Sequence, residues 1–253
     1  MRQVIGFMPL WSVLFCVVIW EIIARIIGTP LLFPEPMAVL RGMIKLSENG
    51  ELWVHTWASL ERVGIGLLVG VPLGAVMGCA MGVSRGINAA LDPYVRMANS
   101  TPAIALIPFA LIWFGLNESA RYALVVYIVV LTVALNARQG VAQVPRLRIK
   151  AANSLGVGGV SAFFRVVIPS SMPSILAGIR TATGLAVIVV VAAEMLGATT
   201  GLGYLIILGR QNYDPTLIFI GIFGLGIMSI VLDRGMEFVI DQFMPRWSVK
   251  RRV

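Results

Sequence analysis

Long apolar blocks alternate with short polar connectors along this chain. The blocks cover about residues 6–27, 60–83, 97–115, 120–137, 171–198 and 216–240. Each is close to the ~20 residues that an α-helix needs to cross a hydrocarbon core of about 30 Å. The pattern predicts an all-α membrane protein with about six transmembrane helices, residues 1–253 forming a single membrane domain with little chain left for an extramembrane one. The first block holds Trp11, Trp20, Glu21 and Arg25 and no small-residue cleavage site, so it reads as a retained span, not a secretory signal. Glu21 and Arg25 stand one helical turn apart and can pair near an interface. The mixed stretch 29–57 opens with Pro30, Pro34 and Pro36 and continues through Arg41, Lys45, Glu48 and Glu51, which predicts a loop with a short amphipathic helix.

Charge orients the spans. Residues 138–168 hold Arg138, Arg146, Arg148, Lys150 and Arg165 and no acid, whereas 197–215 hold only Arg210 and Asp214. The positive-inside rule places the first of these connectors in the cytoplasm. With an even number of spans both termini are then cytoplasmic, in agreement with Arg246, Lys250, Arg251 and Arg252 in the tail. The composition fits this reading: 58% of residues are apolar and 13% charged, with 20 Lys and Arg against 12 Asp and Glu for a net charge of +8. Because the cations sit at span ends, the basicity is topological. The expected surroundings are a lipid bilayer, and no nucleic-acid partner is expected.

Little catalytic chemistry is present. Cys16 and Cys79 lie in separate apolar runs, and His55 is the single histidine, so neither a disulfide framework nor a metal site is indicated. No Gly-Lys dipeptide occurs, which excludes a P-loop of the usual form and ATP hydrolysis by that route. The stretch 82–86, G-V-S-R-G, matches the pattern of a nucleophile elbow around Ser84. That elbow needs a preceding strand and a histidine within reach. Here a membrane helix precedes it and His55 falls at the opposite end of that helix, so 82–86 reads as a glycine-rich turn. Asn99-Ser100-Thr101 fits a glycosylation acceptor but sits at the cytoplasmic end of a span, where that modification does not occur.

Three intramembrane features stand out. Gly66, Gly70, Gly74, Gly78 and Gly82 repeat every four residues and form one helical face on which another backbone can pack closely, with Pro72 within it. In the third span Pro102 and Pro108 each remove a backbone hydrogen bond, so this span either borders a water-accessible path or carries two kinks. Glu194, within an apolar run, is a candidate for gating or path lining, or else a structural carboxylate bonded to a neighbouring helix. It lies 14 residues beyond Arg180, about 21 Å of helix rise, so the two do not pair within the helix.

The connector 145–169 is the most informative segment. Leu147, Ala151 and Leu155 share one helical face, and Val160, Phe163, Phe164, Val167 and Ile168 form a second stripe, with Gly156, Gly158 and Gly159 as the turn between two helices. Spacing alone leaves three destinations for this apolar face: the membrane surface, the protein's own spans, or a partner. The residues themselves resemble a known family. K-A-A-x-x-x-G at 150–156, followed after nine residues by V-x-I-P at 166–169, is similar to the E-A-A-x-x-x-G and I-x-L-P motifs of the EAA loop in permease subunits of bacterial ABC importers. The order of the spans, the stretch P-A-x-A-L-I-P-F-A-L-I-W-F-G at 102–115 and A-A-E-M-L at 192–196 resemble the taurine, aliphatic sulfonate and nitrate branch. Lys150 stands where the motif has Glu, so any salt bridge of that Glu is lost here.

The resemblance implies a type I importer in the bacterial cytoplasmic (inner) membrane. Two permease copies, as a homodimer, form the pathway, two ABC ATPase subunits carry ATP and magnesium, and an extracytoplasmic solute-binding protein delivers a small sulfonate- or nitrate-like anion. The chain itself is then no enzyme and binds no cofactor. The ATPase-coupling residues implied are Leu147, Lys150, Ala151, Ala152, Leu155, Gly156, Phe163 and Pro169. The rival reading is a self-sufficient ion-coupled secondary carrier, which is less favoured because no internal repeat is evident and, on this reading, only Glu194 lies deep in a span.

Overall fold

In the computed structural model, residues 2–243 are described, with side chains described over 11–242. The basic tail with Arg246, Lys250, Arg251 and Arg252 lies outside the described residues. The chain runs through α1 (Arg2–Ile27), α2 (Pro36–Glu48), α3 (Glu51–Val83), α4 (Arg85–Ser100), a 3-10 turn (Ala103–Leu106), α5 (Ile107–Phe114), α6 (Glu118–Ala142), α7 (Arg146–Ser154), α8 (Gly159–Ala162), a π turn (Phe163–Val167), α9 (Ile168–Met195), α10 (Leu202–Gln211) and α11 (Pro215–Phe243). Four helical runs are long and apolar enough to cross a membrane, and α4 with the 3-10 turn and α5 makes a fifth, broken one. Helix α1 occupies the first predicted block.

The glycine face of α3 decides the centre of the fold. A methyl added at Gly70 would stand 2.6 Å from a Val129 methyl, and one at Gly74 would stand 2.7 Å from the Val130 carbonyl oxygen. Gly66 meets Val125, Gly78 meets Ala134, and Gly82 meets Val141, so the contacts advance together along both chains. Helices α3 and α6 are therefore parallel neighbours, and α4 and α5 form the return crossing that parallel neighbours require. Helix α9 runs antiparallel to α6, with Gly140 against Ser171 and Ser174, and Gly178 against Asn136. The core between them is built from Val63, Ile107, Val125, Val129, Val133, Ala182, Ala186 and Val190. Helix α1 docks through Trp20, whose ring stacks on Phe219 and Phe223 of α11 at 5.4 and 5.2 Å and whose indole N–H donates to the Pro34 carbonyl at 3.0 Å. The expected Glu21–Arg25 pair forms at 2.7 Å.

The third block corrects the expectation of a single helix over 97–115. It is two helices bent by 89°. Proline disfavours the helical conformation in the residue before it, and Thr101 is accordingly extended, at φ −84° and ψ 119°. The Ser100 and Thr101 hydroxyls bond back to the Arg96 and Met97 carbonyls at 2.9 and 3.1 Å. Pro108 produces no second kink, because it sits in the first turn of α5, where an amide hydrogen would have no intrahelical partner. Ser84 is the N-cap of α4: its hydroxyl accepts from the Ile87 amide at 3.3 Å. The elbow-like pattern is thus a helix-capping turn, at the far end of α3 from His55.

Candidate functional site

Connector 145–169 carries the first group of candidate residues. Helix α7 ends in a left-handed glycine turn: Gly156 has φ +78°, its amide bonds to the Asn153 carbonyl at 3.0 Å, and the Val157 amide bonds to Ala152 at 2.9 Å. This pairing satisfies the last carbonyls of the helix and explains why glycine stands at 156. Leu147 and Leu155 point outward, 76% and 82% exposed. Lys150, Ala151 and Gly156 are exposed with them, while Ala152, Phe163 and Pro169 are half-buried. Ile149 and Phe163 turn inward and pack against Val144, Val167, Ala137, Cys79 and Ile175 at the ends of the spans.

Two expectations for this segment need correction. No second separate helix follows the turn, because α8, the π turn and α9 form one membrane-length run, Gly159–Met195. The predicted stripe also divides: Val167 is buried and Phe163 and Ile168 face inward, whereas Val160 and Phe164 are exposed. The π turn is the physical reason, since it widens the helix and shifts side-chain register. It ends just before Ile168-Pro169, where proline offers no amide to the carbonyl four residues back.

The second group centres on Glu194, buried with its carboxylate at three donors. Arg62 Nη1 donates to Oε1 at 2.6 Å, Ser59 Oγ donates to Oε1 at 2.7 Å, and the Gly203 amide donates to Oε2 at 2.8 Å. The Arg62 guanidinium also holds Glu118 at 2.7 and 2.8 Å and the Thr200 carbonyl at 2.8 Å. Arg121 bonds to Glu118 at 2.9 Å and to the Gly197 carbonyl. A helix start leaves unsatisfied amides, and at α10 three of them are met by side chains from other elements. His55 Nδ1 accepts from Gly201 at 3.1 Å, Ser59 accepts from Leu202 at 2.9 Å, and Glu194 takes Gly203. This ion cluster ties the turn 196–201 to α3 and to the first residues of α6. Of the path candidates, Pro102 makes the bend, Pro108 starts α5, and Glu194 alone belongs to this cluster.

A second ion cluster joins α9 to α11. Arg180 makes a two-pronged bond to Asp233, 2.7 Å in each arm, and reaches Glu237 at 2.8 Å. Arg234 contacts Glu237 at 3.5 Å. Sequence reasoning singled out Glu194 and passed over Ser59, Arg62, Glu118, Arg121, Asp233, Arg234 and Glu237. The available signal was ionisable residues inside or at the lip of apolar blocks: Arg62 within 60–83, and Asp233, Arg234 and Glu237 within 216–240.

Comparison with known proteins agrees with this architecture. Residues 70–249 match the family described as binding-protein-dependent transport system inner membrane component. The chain is 32% identical to an aliphatic sulfonates transport permease protein of Escherichia coli strain K12, over 92% of this chain and 88% of that protein. It is 30% identical to the taurine transport system permease protein of the same organism, over 89% and 84%. Among solved structures it is similar to an amino acid ABC transporter crystallised with histidines, with a TM-score of 0.63, 18% identity, and coverage of 80% of this chain and 96% of that one. A glycine-packed helical core, an exposed loop bearing the K-A-A-x-x-x-G turn, and these matches together establish that the chain belongs to the binding-protein-dependent inner membrane component family, the permease subunits of ABC transporters.

Proposed function

We propose that this permease forms the solute pathway of an ATP-driven importer in the bacterial inner membrane, with both termini cytoplasmic. Two copies of the chain pair as a homodimer, two separate ATPase subunits dock on the α7 loops, and an extracytoplasmic binding protein supplies the solute. The solute is a small sulfonate- or nitrate-like anion, in keeping with the sulfonate and taurine permeases that the chain resembles. Leu147, Lys150, Ala151, Leu155 and Gly156 form the contact with the ATPase, while Ala152, Phe163 and Pro169 brace that contact against the spans. ATP closure moves α7 and, through the π turn, the start of α9. Such coupling requires contacts that differ between the inward-open and outward-open states.

One observation carries this reading. Leu155 and Leu147 are exposed apolar side chains on a short helix fixed in place by Ile149, so the helix is anchored yet its outer face is left uncovered. Leu155→Asp tests it. Burying an unpaired carboxylate in a dry contact costs several kcal/mol, and about 2.8 kcal/mol is already a hundredfold in affinity. The variant is expected to insert and to form its permease pair, yet to lose co-purification with the ATPase and to lose uptake. Normal uptake by Leu155→Asp, or uptake that survives removal of every ATPase, would defeat the importer reading.

A further inference from the structure

The Arg180 cluster borders a cavity of about 450 Å³ between α9 and α11, a volume in the range of small-molecule sites. Residues 215–232 of α11 carry no charge, and Asp233 follows about 27 Å along the helix from Pro215. That run nearly matches a hydrocarbon core of about 30 Å, so Asp233, and Arg180 bonded to it, stand where hydrocarbon gives way to headgroups. Helix α9 leaves the connector 145–169 at Ile168 and reaches Arg180 about 18 Å later, well before Glu194 at its other end, which puts this charged rim on the same side of the membrane as α7. From the rim the cavity runs toward the core. Gly184 and Val187 line it about 6 and 10 Å further along α9 than Arg180, and Ser229 lies about 6 Å on the core side of Asp233. The surroundings are apolar and uncovered, with Ile188, Ile227, Ile230 and Val231 exposed. A methyl added at Gly184 would meet nothing within 4 Å, so the α9 wall is open. A slot with charges at headgroup level and bare apolar walls below them has the polarity of a phospholipid.

We propose that this cavity seats one phospholipid of the leaflet on the α7 side, with a headgroup that carries both a phosphate and a primary ammonium. The inference goes beyond the importer reading and does not depend on it. Charge selects the headgroup. Arg180 and Arg234 balance Asp233 and Glu237, so the quartet is neutral and gives a net anion little attraction. All three nitrogens of Arg180 hold carboxylates. Arg234 is 78% exposed and is held only by the 3.5 Å contact to Glu237 among the described residues, which leaves it donors for a phosphate. Asp233 and Glu237 keep unused lone pairs on oxygens that accept only from arginines. A primary ammonium brings N–H donors to those lone pairs, whereas a trimethylammonium brings none. A phosphoethanolamine headgroup therefore sets its phosphate on Arg234 and its ammonium on the carboxylates without breaking the Arg180 bonds, and its acyl chains lie along Gly184, Val187 and Ile230.

The test is native mass spectrometry of the full-length permease, with any subunits that co-purify, stripped of lipid and titrated with phosphatidylethanolamine, phosphatidylcholine or phosphatidylglycerol of identical acyl chains. The first phosphatidylethanolamine is expected to bind more tightly than either of the others by about fivefold or more, the contribution of one charge pair at a headgroup. Gly184→Phe fills the cavity from its open wall without touching a charge and should erase that preference. Arg234→Gln, at an exposed side chain, should weaken phosphatidylethanolamine by about fivefold. Thermal unfolding checks that each variant is folded, and if one is not, the other decides together with the three-lipid comparison. Equal binding of the three lipids, tightest binding of phosphatidylglycerol, or a preference that survives either variant in folded protein overturns the proposal. Absence of any preference is also the result expected if a second copy of the chain covers this face. Soluble phosphoethanolamine should not displace the lipid at equal concentration; displacement would assign the cavity to a free phosphate compound and overturn the lipid site.

Discussion

Replacing Arg62 by Met should be among the most damaging single changes in the chain, and the cluster around Glu194 sets its size. The Glu194 carboxylate is fully enclosed, with 0% side-chain exposure, and Arg62 at 2.6 Å is its only cationic partner among the described residues. Methionine fills comparable length but leaves that charge held by Ser59 and the Gly203 amide alone. Removing one member of a buried pair typically costs about 3–5 kcal/mol. Loss of the bonds to the Thr200 carbonyl and hydroxyl adds to this. Glu118 contributes little, since it is 44% exposed and keeps Arg121. Glu194→Gln is milder: Arg62 retains both bonds to Glu118, the glutamine oxygen still accepts from Gly203, and the loss is that of a charged hydrogen bond, about 1.5–3 kcal/mol. Combining the two changes removes both charges, so the double variant should lose at least ~2 kcal/mol less than the sum of the singles. Thermal unfolding in nanodiscs reads this out, a 1 kcal/mol loss shifting Tm by roughly 2–4 °C in a chain of this size. Arg62→Met should then fall by roughly 6–20 °C, with hydrogen exchange of the Gly201, Leu202 and Gly203 amides accelerated before that of the α6 core. Strict additivity in the double variant, or unchanged exchange at those three amides, would refute the account of the cluster as the anchor of α10.

The remaining predictions concern packing and orientation. Gly74→Leu and Gly70→Leu should each cost more than the ~1–3 kcal/mol usual for overpacking, because even a first carbon meets Val130 or Val129 at 2.7 or 2.6 Å, whereas Gly64→Leu should be nearly silent, since nothing lies within 4 Å of its added carbon. Yield and Tm of the three variants check this, and equal behaviour would sever the glycine face from the α3–α6 contact. A reporter fused after Gly158 should register cytoplasm and one fused after Arg210 the outside; the reverse pattern would overturn the charge-based topology. Asn153→Gln, placed as a companion to Leu155→Asp, should leave both ATPase association and uptake near wild type.

Local pattern determined a good deal. Apolar block length marked the membrane-spanning helices, since crossing lipid demands a run of fixed length whatever it packs against. The four-residue glycine spacing already marked the α3 face that receives α6, because a missing side chain is visible in sequence and useful chiefly where another backbone approaches. The turn at Gly156 was legible for a similar reason, its left-handed conformation being one that glycine alone adopts without strain. What the sequence left open was decided by contacts between residues far apart in the chain. Glu194 is one of four charged and two uncharged side chains gathered from α3, α6 and α9 around the start of α10, and no local spacing encodes that 132 residues separate it from its arginine. The stripe from Val160 to Ile168 looked like one face because periodicity assumes an unbroken α-helix, and the π turn breaks that assumption. The third block read as a single span because hydropathy measures length; Pro102 supplies the break at Thr101, but no local pattern sets the 89° angle between the two pieces. Hydrophobic pattern is a property of neighbours in sequence. Ion pairing, bends and cavities belong to neighbours in space, and those exist only once the helices have packed.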